Sequence, residues 1–452
     1  MTDAREVDEQ EFGNQIHAVL FPSSPIQSHE FLFGRDEQLS RIRRALMAPG
    51  RQVFIYGERG VGKSSLANAA AAETQSSDKQ PIHASCGSST TFVGIVEHLI
   101  RATKTEPVGS VTVRKEGKVS AKHIELGLHT EVTKPAPGTP TDIEDAARRL
   151  DEAFGRYSSQ TVAVIDEFDR IPEASERNKF AELLKAFGDR KSKVKLIFTG
   201  VASSLDELLE SHGSAHRQLD TIELERLLYQ SRMDILEKAL KHFGVIADQS
   251  VVYRIASVSN GFPYYVHLLS EHLLWAWYED RAADEITLEH LHQAFARATS
   301  AVHADLRRPY DKATRGREQA AYVLWAVADA YDLERTTDAI WRSYSQICGT
   351  LEVELLERPK FSALLRKLRD ASHDSILQQV AGRKLHAFRE AMVRGYVRMA
   401  AACKNIQLDD QEFDPPPQSH AAVPRMSARK RWMDSSRFIP RVEFANERER
   451  GN

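Results

Sequence analysis

The nine residues GERGVGKSS, at positions 57–65, have the spacing of glycines, lysine and serine that a phosphate-binding loop requires. In such a loop the backbone N–H groups and the positive end of the following helix stabilise a polyphosphate. The Lys63 ammonium would neutralise the β- and γ-phosphates, and the Ser64 hydroxyl would bind Mg²⁺. A chance match to so short a pattern is the alternative, but the apolar run VFIY before the loop and the helical segment after it favour a real site. The loop residues predicted to hold the ligand are Gly57, Gly60, Val61, Gly62, Lys63, Ser64 and Ser65.

A pair of carboxylates in the segment VIDEFD could supply the remaining chemistry of phosphoryl transfer. Asp166 ends a continuously apolar run, and ligands of open α/β sheets bind at the carboxyl ends of such strands. Asp166 would hold the magnesium ion through water, and Glu167 would orient the attacking water. The alternative is a pair of surface carboxylates at a strand end. The order of the two motifs along the chain favours the catalytic interpretation.

Alternating apolar runs and helical segments surround these motifs over residues 52–224. Runs that are apolar throughout predict strands covered on both faces of a parallel sheet. The predicted strands are 51–57, 81–86, 162–165 and 194–200, and the predicted helices are around 92–104, 142–157 and 178–187. The alternation predicts an α/β fold with a doubly wound parallel sheet.

The remaining segments predict additional domains. Residues 1–21 are interpreted as a polar leader, and residues 22–225 as the phosphate-binding domain with a β-hairpin insertion at 108–134. Residues 226–314 show only helical periodicity and predict an all-α lid. Three helices closed by a hairpin over 318–404 predict a winged helix.

Composition restricts the class of protein. The 452 residues are 42% apolar and 28% charged, with a formal net charge of −3, which predicts a soluble globular protein and gives no global sign of nucleic-acid binding. No apolar run reaches the length of a membrane span, and the N-terminus is acidic, unlike a signal peptide, so we expect a cytoplasmic protein without membrane contact. The three cysteines lie far apart and indicate neither a disulfide framework nor a zinc site. The tail 405–452, with few apolar residues and a triple proline, is predicted to be disordered.

With both motifs considered, the chain resembles the AAA+ ATPases, in particular the origin-recognition and archaeal-initiator type and the related bacterial STAND-like ATPases. The segment SSPIQSHEFLFGRDEQLSRI matches the F-x-G-R-[DE] box that precedes the first strand in that class. The resemblance implies ATP as the nucleotide, and a P-loop AAA+ core with a helical lid and a C-terminal winged helix. It also implies that Pro25 and Ile26 lie near the adenine and that Phe33 and Gly34 shape the base pocket.

The resemblance implies further roles at the hydrolysis site. Thr199, in LIFTGVASS, occupies the position of a polar residue that contacts the γ-phosphate or the attacking water. Arg217 is the candidate arginine finger, which one subunit supplies to its neighbour, so this role would require a homo-oligomer. A surface arginine paired with nearby glutamates is the alternative. Tyr264 and Tyr265 follow the G-x-P turn of the lid, where motor-type AAA+ proteins have an arginine, and this departure predicts slow hydrolysis.

The C-terminal segment contains a basic helix, PKFSALLRKLRD, whose apolar residues fall on one face. Such a helix could enter a major groove while the tip of the wing contacted phosphates. The residues predicted to contact duplex DNA are Lys360, Arg366, Lys367, Arg383 and Lys384. The following helix adds positive charge at Arg389, Arg394 and Arg398. A solvated basic face on a packing module is the alternative.

Three functions are compatible with these features. The first is an ATPase that assembles in its ATP form on duplex DNA to control a partner machinery. The second is a STAND-like signalling or defence switch that acts on a protein effector without binding DNA. The third is an ATP-binding scaffold without turnover. The sequence contains no nuclease, protease or other effector motif, so a separate effector protein is expected in the first two cases.

Overall fold

The computed structural model describes residues 6–408, apart from 77, 105–138, 212–214, 374 and 381–383; for 207, 209–211, 215, 216 and 372 it describes the backbone alone. The hairpin predicted at 108–134 and residues 409–452 of the predicted tail lie outside the described residues. Within the described part of the chain, no helix has the length and apolar character needed to cross a membrane.

A five-stranded parallel sheet forms the centre of the N-terminal half of the chain. Its strands are β1 (Gln52–Tyr56), β2 (Ile82–Ser85), β3 (Val162–Asp166), β4 (Lys195–Gly200) and β5 (Leu219–Glu223). They lie in the order β2-β3-β4-β1-β5, and β1, β3 and β4 are buried along nearly their whole length. Burial on both faces explains why these strands read as continuous apolar runs. The predicted α/β fold class is confirmed.

Helices cover the two faces of the sheet. The chain first forms α1 (Glu9–Val19), which packs against helices later in the chain. It then forms α2 (Asp36–Met47), α3 (Lys63–Thr74), α4 (Phe92–Ala102), α5 (Ile143–Tyr157), α6 (Ala174–Asp189), α7 (Ala202–Ser211) and α8 (Ala215–Gln218) around the sheet. Successive side chains of a strand point to opposite faces. Val53 and Ile55 accordingly pack in one core with α2 and α3, whereas Phe54 packs in another with α4, α5 and α6.

The strand order decides where the functional side chains meet. Strand β4 lies between β1 and β3, and all three run parallel. Their carboxyl ends therefore lie side by side at one edge of the sheet, where open α/β folds bind ligands. The phosphate loop follows β1, Asp166 ends β3, and Thr199 lies at the end of β4.

Residues 229–314 form a helical lid. Its helices are α9 (Tyr229–Phe243), α10 (Gln249–Ser259), α11 (Pro263–Glu279), α12 (Leu288–Ala301) and α13 (Ala304–Thr314). Two short strands, β6 (Ile246–Ala247) and β7 (Glu285–Ile286), pair in parallel between these helices. The sequence did not predict this pair, because a two-residue strand leaves no periodic pattern.

Helix α1 corrects the interpretation of residues 1–21 as a polar leader. Phe12, Ile16 and Val19 are buried at helical spacing, and the Asp8 side chain caps the helix by accepting the N–H of Glu11 at 2.8 Å. Phe12 stacks on Tyr278 of α11 with ring centroids 4.2 Å apart. The apolar stripe is narrow and interrupted by polar residues, which is why composition suggested a solvated segment.

The C-terminal module comprises four helices and a small antiparallel sheet. Its elements are α14 (Glu318–Ala328), β8 (Arg335–Thr336), α15 (Thr337–Leu351), α16 (Arg358–Lys367), β9 (Leu377–Gln379), β10 (Leu385–Phe388) and α17 (Ala391–Ala402). The strands lie in the order β8-β10-β9. Helices α14, α15 and α16 precede the paired strands β9 and β10, and the assignment of this module as a winged helix stays a prediction.

Two arginines of α17 are buried, which corrects the expectation that they add surface charge. Arg394 donates to the carbonyl oxygens of Tyr331 and Asp332 at 3.2 and 2.8 Å, and Arg398 donates to that of Ala328 at 2.7 Å. These acceptors end or follow α14, and the last carbonyls of a helix have no partner within it. The guanidinium groups therefore satisfy backbone acceptors in the interior and are not available to a nucleic acid.

Replacing Arg394 with methionine should destabilise the C-terminal module, because several buried carbonyl groups lose their donor. We expect the free energy of unfolding to fall by about 3 kcal/mol. Chemical denaturation followed by circular dichroism measures the change. Arg366→Met, which removes an exposed arginine, is the matched control and should change stability by less than about 0.5 kcal/mol. Equal effects of the two substitutions would contradict the role of the buried contacts.

Candidate nucleotide-binding and hydrolysis site

The loop between β1 and α3 depends on glycine at two positions. A Cβ at Gly57 would lie 2.3 Å from the carbonyl oxygen of Leu224, which is too close for any side chain. Gly62 caps α3 with a φ of 98°, a left-handed conformation that favours glycine. The first N–H groups of α3 have no acceptors within the helix, and a helix end of this kind attracts anions.

Lys63 is held inside this loop by two backbone carbonyl groups. Its Nζ donates to the oxygen of Gly57 at 3.0 Å and to that of Glu58 at 2.7 Å. Burial lowers the pKa of Lys63, and the carboxylates of Asp169 and Asp166 oppose this change. A polyphosphate would offer charged acceptors, which form stronger hydrogen bonds than carbonyl groups do. The oxygens of a bound phosphate could therefore replace these two carbonyl groups as the hydrogen-bond acceptors of the Lys63 ammonium.

Asp166 joins three elements through one oxygen. Its Oδ1 accepts hydrogen bonds from the Ser64 hydroxyl at 2.9 Å, from the Glu167 N–H at 3.0 Å, and from the Thr199 hydroxyl. Mg²⁺ is bound by oxygen ligands, commonly one or two from the protein together with phosphate oxygens and water. The Ser64 hydroxyl and the Asp166 carboxylate lie close enough to serve one such ion.

The Thr199 hydroxyl connects Asp166 with Glu167. Its Oγ1 accepts the N–H of Glu167 at 3.0 Å while its proton is donated to Asp166. Glu167 has a φ of 56°, an uncommon conformation for a residue with a side chain. Its carboxylate accepts a hydrogen bond from Arg170 at 2.8 Å. Rotation away from Arg170 would free this carboxylate to orient a water beside the metal.

A cavity of about 300 Å³ is lined by these groups and by the segment 21–26. In this segment the N–H of Ile26 donates to the Ser65 hydroxyl at 3.1 Å, which fixes it beside α3. The lid contributes Pro263 and Tyr264 to the lining. Pockets for small ligands commonly have volumes of this order.

The side chain of Arg35 stabilises the phosphate loop. This buried side chain donates to the carbonyl oxygens of Val61 and Glu225 at 3.2 and 2.7 Å. Burial lowers the pKa of Arg35 to about 10, and the carboxylate of Glu225 opposes this change. The arginine of the F-x-G-R-[DE] box therefore ties the phosphate loop to the chain that follows β5.

Most of the predicted site residues meet at the cavity. The lining includes Pro25, Ile26, Gly60, Gly62, Lys63, Ser64, Ser65, Asp166, Glu167 and Thr199. Gly57 and Val61 belong to the loop but lie outside the lining. Phe33 and Gly34, expected at the base pocket, are also outside it, because Gly34 packs against the Ser231 hydroxyl of α9.

Other predicted residues lie away from the cavity. Arg217 is exposed on α8, outside the lining. Lys360, Arg366, Lys367 and Lys384 are exposed on the C-terminal module, and Arg383 lies outside the described residues. The roles of these side chains stay predictions.

Nine residues of the lining were not predicted as site residues: Phe21, Pro22, Ser23, Ser24, Arg59, Asp169, Pro263, Tyr264 and His267. Arg59 lies within the motif GERGVGKSS, and Asp169 lies within the segment VIDEFD. Their positions in these motifs could have predicted that they line the site. His267 follows Pro263 by four residues, and residues four apart lie on the same face of a helix. Phe21 had no such signal, because a loop residue has no periodicity.

The model of the family described as "Novel STAND NTPase 1" matches residues 25–371. The sequence has no match among curated proteins.

The Walker-type ATPase of Pyrococcus abyssi has a similar structure at 14% identity, over 83% of this chain and 99% of that one, with a TM-score of 0.48. The ORC2 protein of Aeropyrum pernix, in ADPNP and ADP complexes, shares 14% identity over 85% and 98% of the two chains, with a TM-score of 0.47. The RuvB Holliday junction branch migration motor of Thermotoga maritima shares 14% over 85% and 98%, with a TM-score of 0.40.

Replacing Thr199 with valine should slow ATP hydrolysis far more than it weakens ATP binding. Valine keeps the shape of threonine but neither donates to Asp166 nor accepts the N–H of Glu167. We expect the single-turnover rate to fall roughly 10- to 100-fold, equivalent to about 1.4–2.8 kcal/mol in the barrier. Thr199→Ser, which keeps the hydroxyl, should retain most of the rate. A similar loss in both variants, or an equal loss of ATP affinity, would refute this role.

Proposed function

The chain belongs to the Novel STAND NTPase 1 family, and from this premise we propose that it is a slow ATPase that works as a nucleotide-dependent switch. The family match confirms the resemblance to STAND-like ATPases stated from the sequence. In the proposed switch, ATP and Mg²⁺ at the loop 57–65 control the docking of the C-terminal module. The undocked form assembles with copies of itself and acts on a separate effector protein.

The observation that carries the proposal is the contact between Met392 of the C-terminal module and Gly60 of the phosphate loop. A Cβ on Gly60 would lie 2.2 Å from the Met392 sulfur, so the sulfur rests directly on the glycine backbone. Gly60 also lines the nucleotide cavity. A ligand that shifts this loop must therefore change the affinity of the loop for the module, and the coupling is reciprocal.

Tyr265 of the lid extends this contact. Its hydroxyl donates to the carbonyl oxygen of Met392 at 2.6 Å. A Cβ at Gly395 would lie 2.2 Å from the Tyr265 ring, so α17 and α11 pack at the closest possible distance there. Helix α11 also supplies Pro263 and Tyr264 to the cavity. The lid thus gives the nucleotide a second connection to the C-terminal module.

Charges of both signs meet at this junction. Burial raises the pKa of Glu58 in the loop, Arg226 lowers it, and Glu390 of the module raises it. Arg394 of the module and Lys63 of the loop also lower it. The module therefore presents both a repelling carboxylate and an attracting guanidinium to Glu58, so the charge of Glu58 contributes to the strength of docking.

The proposed hydrolysis uses the groups around Asp166. Lys63 leaves the loop carbonyls to contact the β- and γ-phosphates, and Ser64 and Asp166 hold Mg²⁺, which neutralises phosphate charge when bound. Glu167 orients the attacking water. Tyr264 offers no positive charge where motor-type AAA+ proteins have an arginine. This difference favours slow turnover and a long-lived ATP form.

Self-assembly is proposed from the position of Arg217. Its side chain is exposed and lies outside the cavity of its own chain. As an arginine finger it would therefore act on the phosphates of a neighbouring subunit. An arginine supplied in this way raises the rate by roughly 10³–10⁵ in other phosphoryl-transfer enzymes.

DNA binding by the C-terminal module is a second candidate function. On α16, Phe361 and Leu365 face the core, while Lys360, Arg366 and Lys367 are exposed. This separation is what a helix in a major groove requires. The burial of the α17 arginines removes part of the expected basic surface, so we place the switch first.

Replacing Met392 with glutamate should undock the module, because a charged carboxylate would replace the apolar side chain that contacts Gly60. We expect fluorescent ADP to dissociate about tenfold faster, which corresponds to about 1.4 kcal/mol. Light scattering should then detect the ATP-dependent assembly at lower protein concentration. Met392→Leu keeps an apolar side chain and is the control. If Met392→Glu releases ADP and assembles like the wild type, the contact does not couple nucleotide to docking.

Reversing the charge of α16 separates the two candidate functions. If the helix binds duplex DNA, the triple variant Lys360→Glu, Arg366→Glu, Lys367→Glu should lose affinity and reduce the slope of log K against log[salt] by about 2.7, since three phosphate contacts are removed. The matched control makes the same charge change at three exposed residues of the N-terminal α/β domain: Arg156→Glu, Lys185→Glu and Lys193→Glu. Equal slopes for both variants exclude DNA contact by α16. ATP-dependent assembly without any DNA affinity would leave the protein effector as the target.

A further inference from the structure

His267 of α11 is a buried side chain with one ring nitrogen unused. Only 2% of the residue is exposed, and Nε2 makes no hydrogen bond within the described part of the chain. The residue also lines the nucleotide cavity. Buried polar atoms nearly always have a partner, so an unused nitrogen beside an open cavity indicates that a ligand supplies one.

The other ring nitrogen fixes the tautomer. The backbone N–H of Phe21 donates to Nδ1 at 3.3 Å, so Nδ1 is an acceptor and the proton of the neutral ring resides on Nε2. Burial lowers the pKa of His267 to about 4, which keeps the ring neutral near pH 7. His267 therefore carries one uncharged, unused N–H donor on a side chain that lines the cavity.

The position of His267 indicates which part of a nucleotide it would meet. Its partner Phe21 opens the segment 21–26, and the Phe21 ring lies edge-on to the imidazole with centroids 6.0 Å apart. Phe21, Pro25 and Ile26 form an apolar side of the lining, whereas the loop and Asp166 supply the charged side. Phosphates belong on the charged side, so the base occupies the side that contains His267.

We propose that His267 recognises the purine base of the bound nucleotide by donating its Nε2–H to a ring nitrogen. The proposal rests on the nucleotide site described under the proposed function. Adenine has three ring nitrogens that can accept such a hydrogen bond, at N1, N3 and N7, and a neutral donor is suited to them. A cation would be costly to bury here, and the lowered basicity of the ring avoids that cost.

The test compares ATP with its 1-deaza, 3-deaza and 7-deaza analogues by calorimetric titration of the full chain. We expect wild-type protein to bind one of the three about tenfold more weakly than ATP, because a buried neutral hydrogen bond is lost. His267→Phe should bind ATP about tenfold more weakly and should no longer distinguish ATP from that analogue. His267→Gln, whose amide can still donate, should retain part of the preference.

His272→Phe is the matched control, since His272 lies on the same helix but outside the cavity lining. It should bind all four nucleotides like the wild type. If the wild type binds ATP but treats the three deaza analogues like ATP, His267 does not recognise the base. A wild type that is sensitive only to loss of a ribose hydroxyl, measured with 2′-deoxy- and 3′-deoxy-ATP, would also overturn the proposal. Failure of the wild type to bind ATP at all would instead refute the proposed function.

Discussion

The hydrogen bonds that converge on Oδ1 of Asp166 are the constraint on which the rest of the site depends. They connect the helix after the phosphate loop, the end of β3 and the end of β4 through Ser64, Glu167 and Thr199. The parallel sheet makes this possible, because neighbouring strand ends lie about 4.8 Å apart. One carboxylate thereby sets the position of the residues proposed to bind the metal and to orient the water. The lid and the C-terminal module contact a phosphate loop whose following helix is held by these hydrogen bonds.

The parts that could be predicted are those in which local chemistry leaves a sequence pattern. The phosphate loop needs its glycines, and the buried strands need continuous apolar runs, so both were found. The buried arginines left no comparable pattern. Arg232 and Arg394 both donate to backbone carbonyl groups, and a carbonyl acceptor can belong to any residue type. Such partners become visible only when the chain is folded.

A second limit on prediction concerns contacts between distant segments. Met392 lies more than 300 positions from Gly60, and no spacing rule links α17 to the phosphate loop. The same applies to Phe21, which follows α1, and His267 of the lid helix α11, which are joined by a hydrogen bond. The proposed switch depends on these long-range contacts, and tertiary structure was needed to find them.

The close packing of Gly395 against Tyr265 has a mechanical consequence. Because Gly395 leaves no room for a side chain against Tyr265 of α11, and because Arg398 donates to Ser257 of α10, α17 is bound to two helices of the lid. If these contacts persist during opening, a rotation of α17 away from the phosphate loop would carry Pro263 and Tyr264 away from the cavity as well. We therefore expect the nucleotide to lose contacts on its base and phosphate sides in one step, so that opening and exchange share a single barrier.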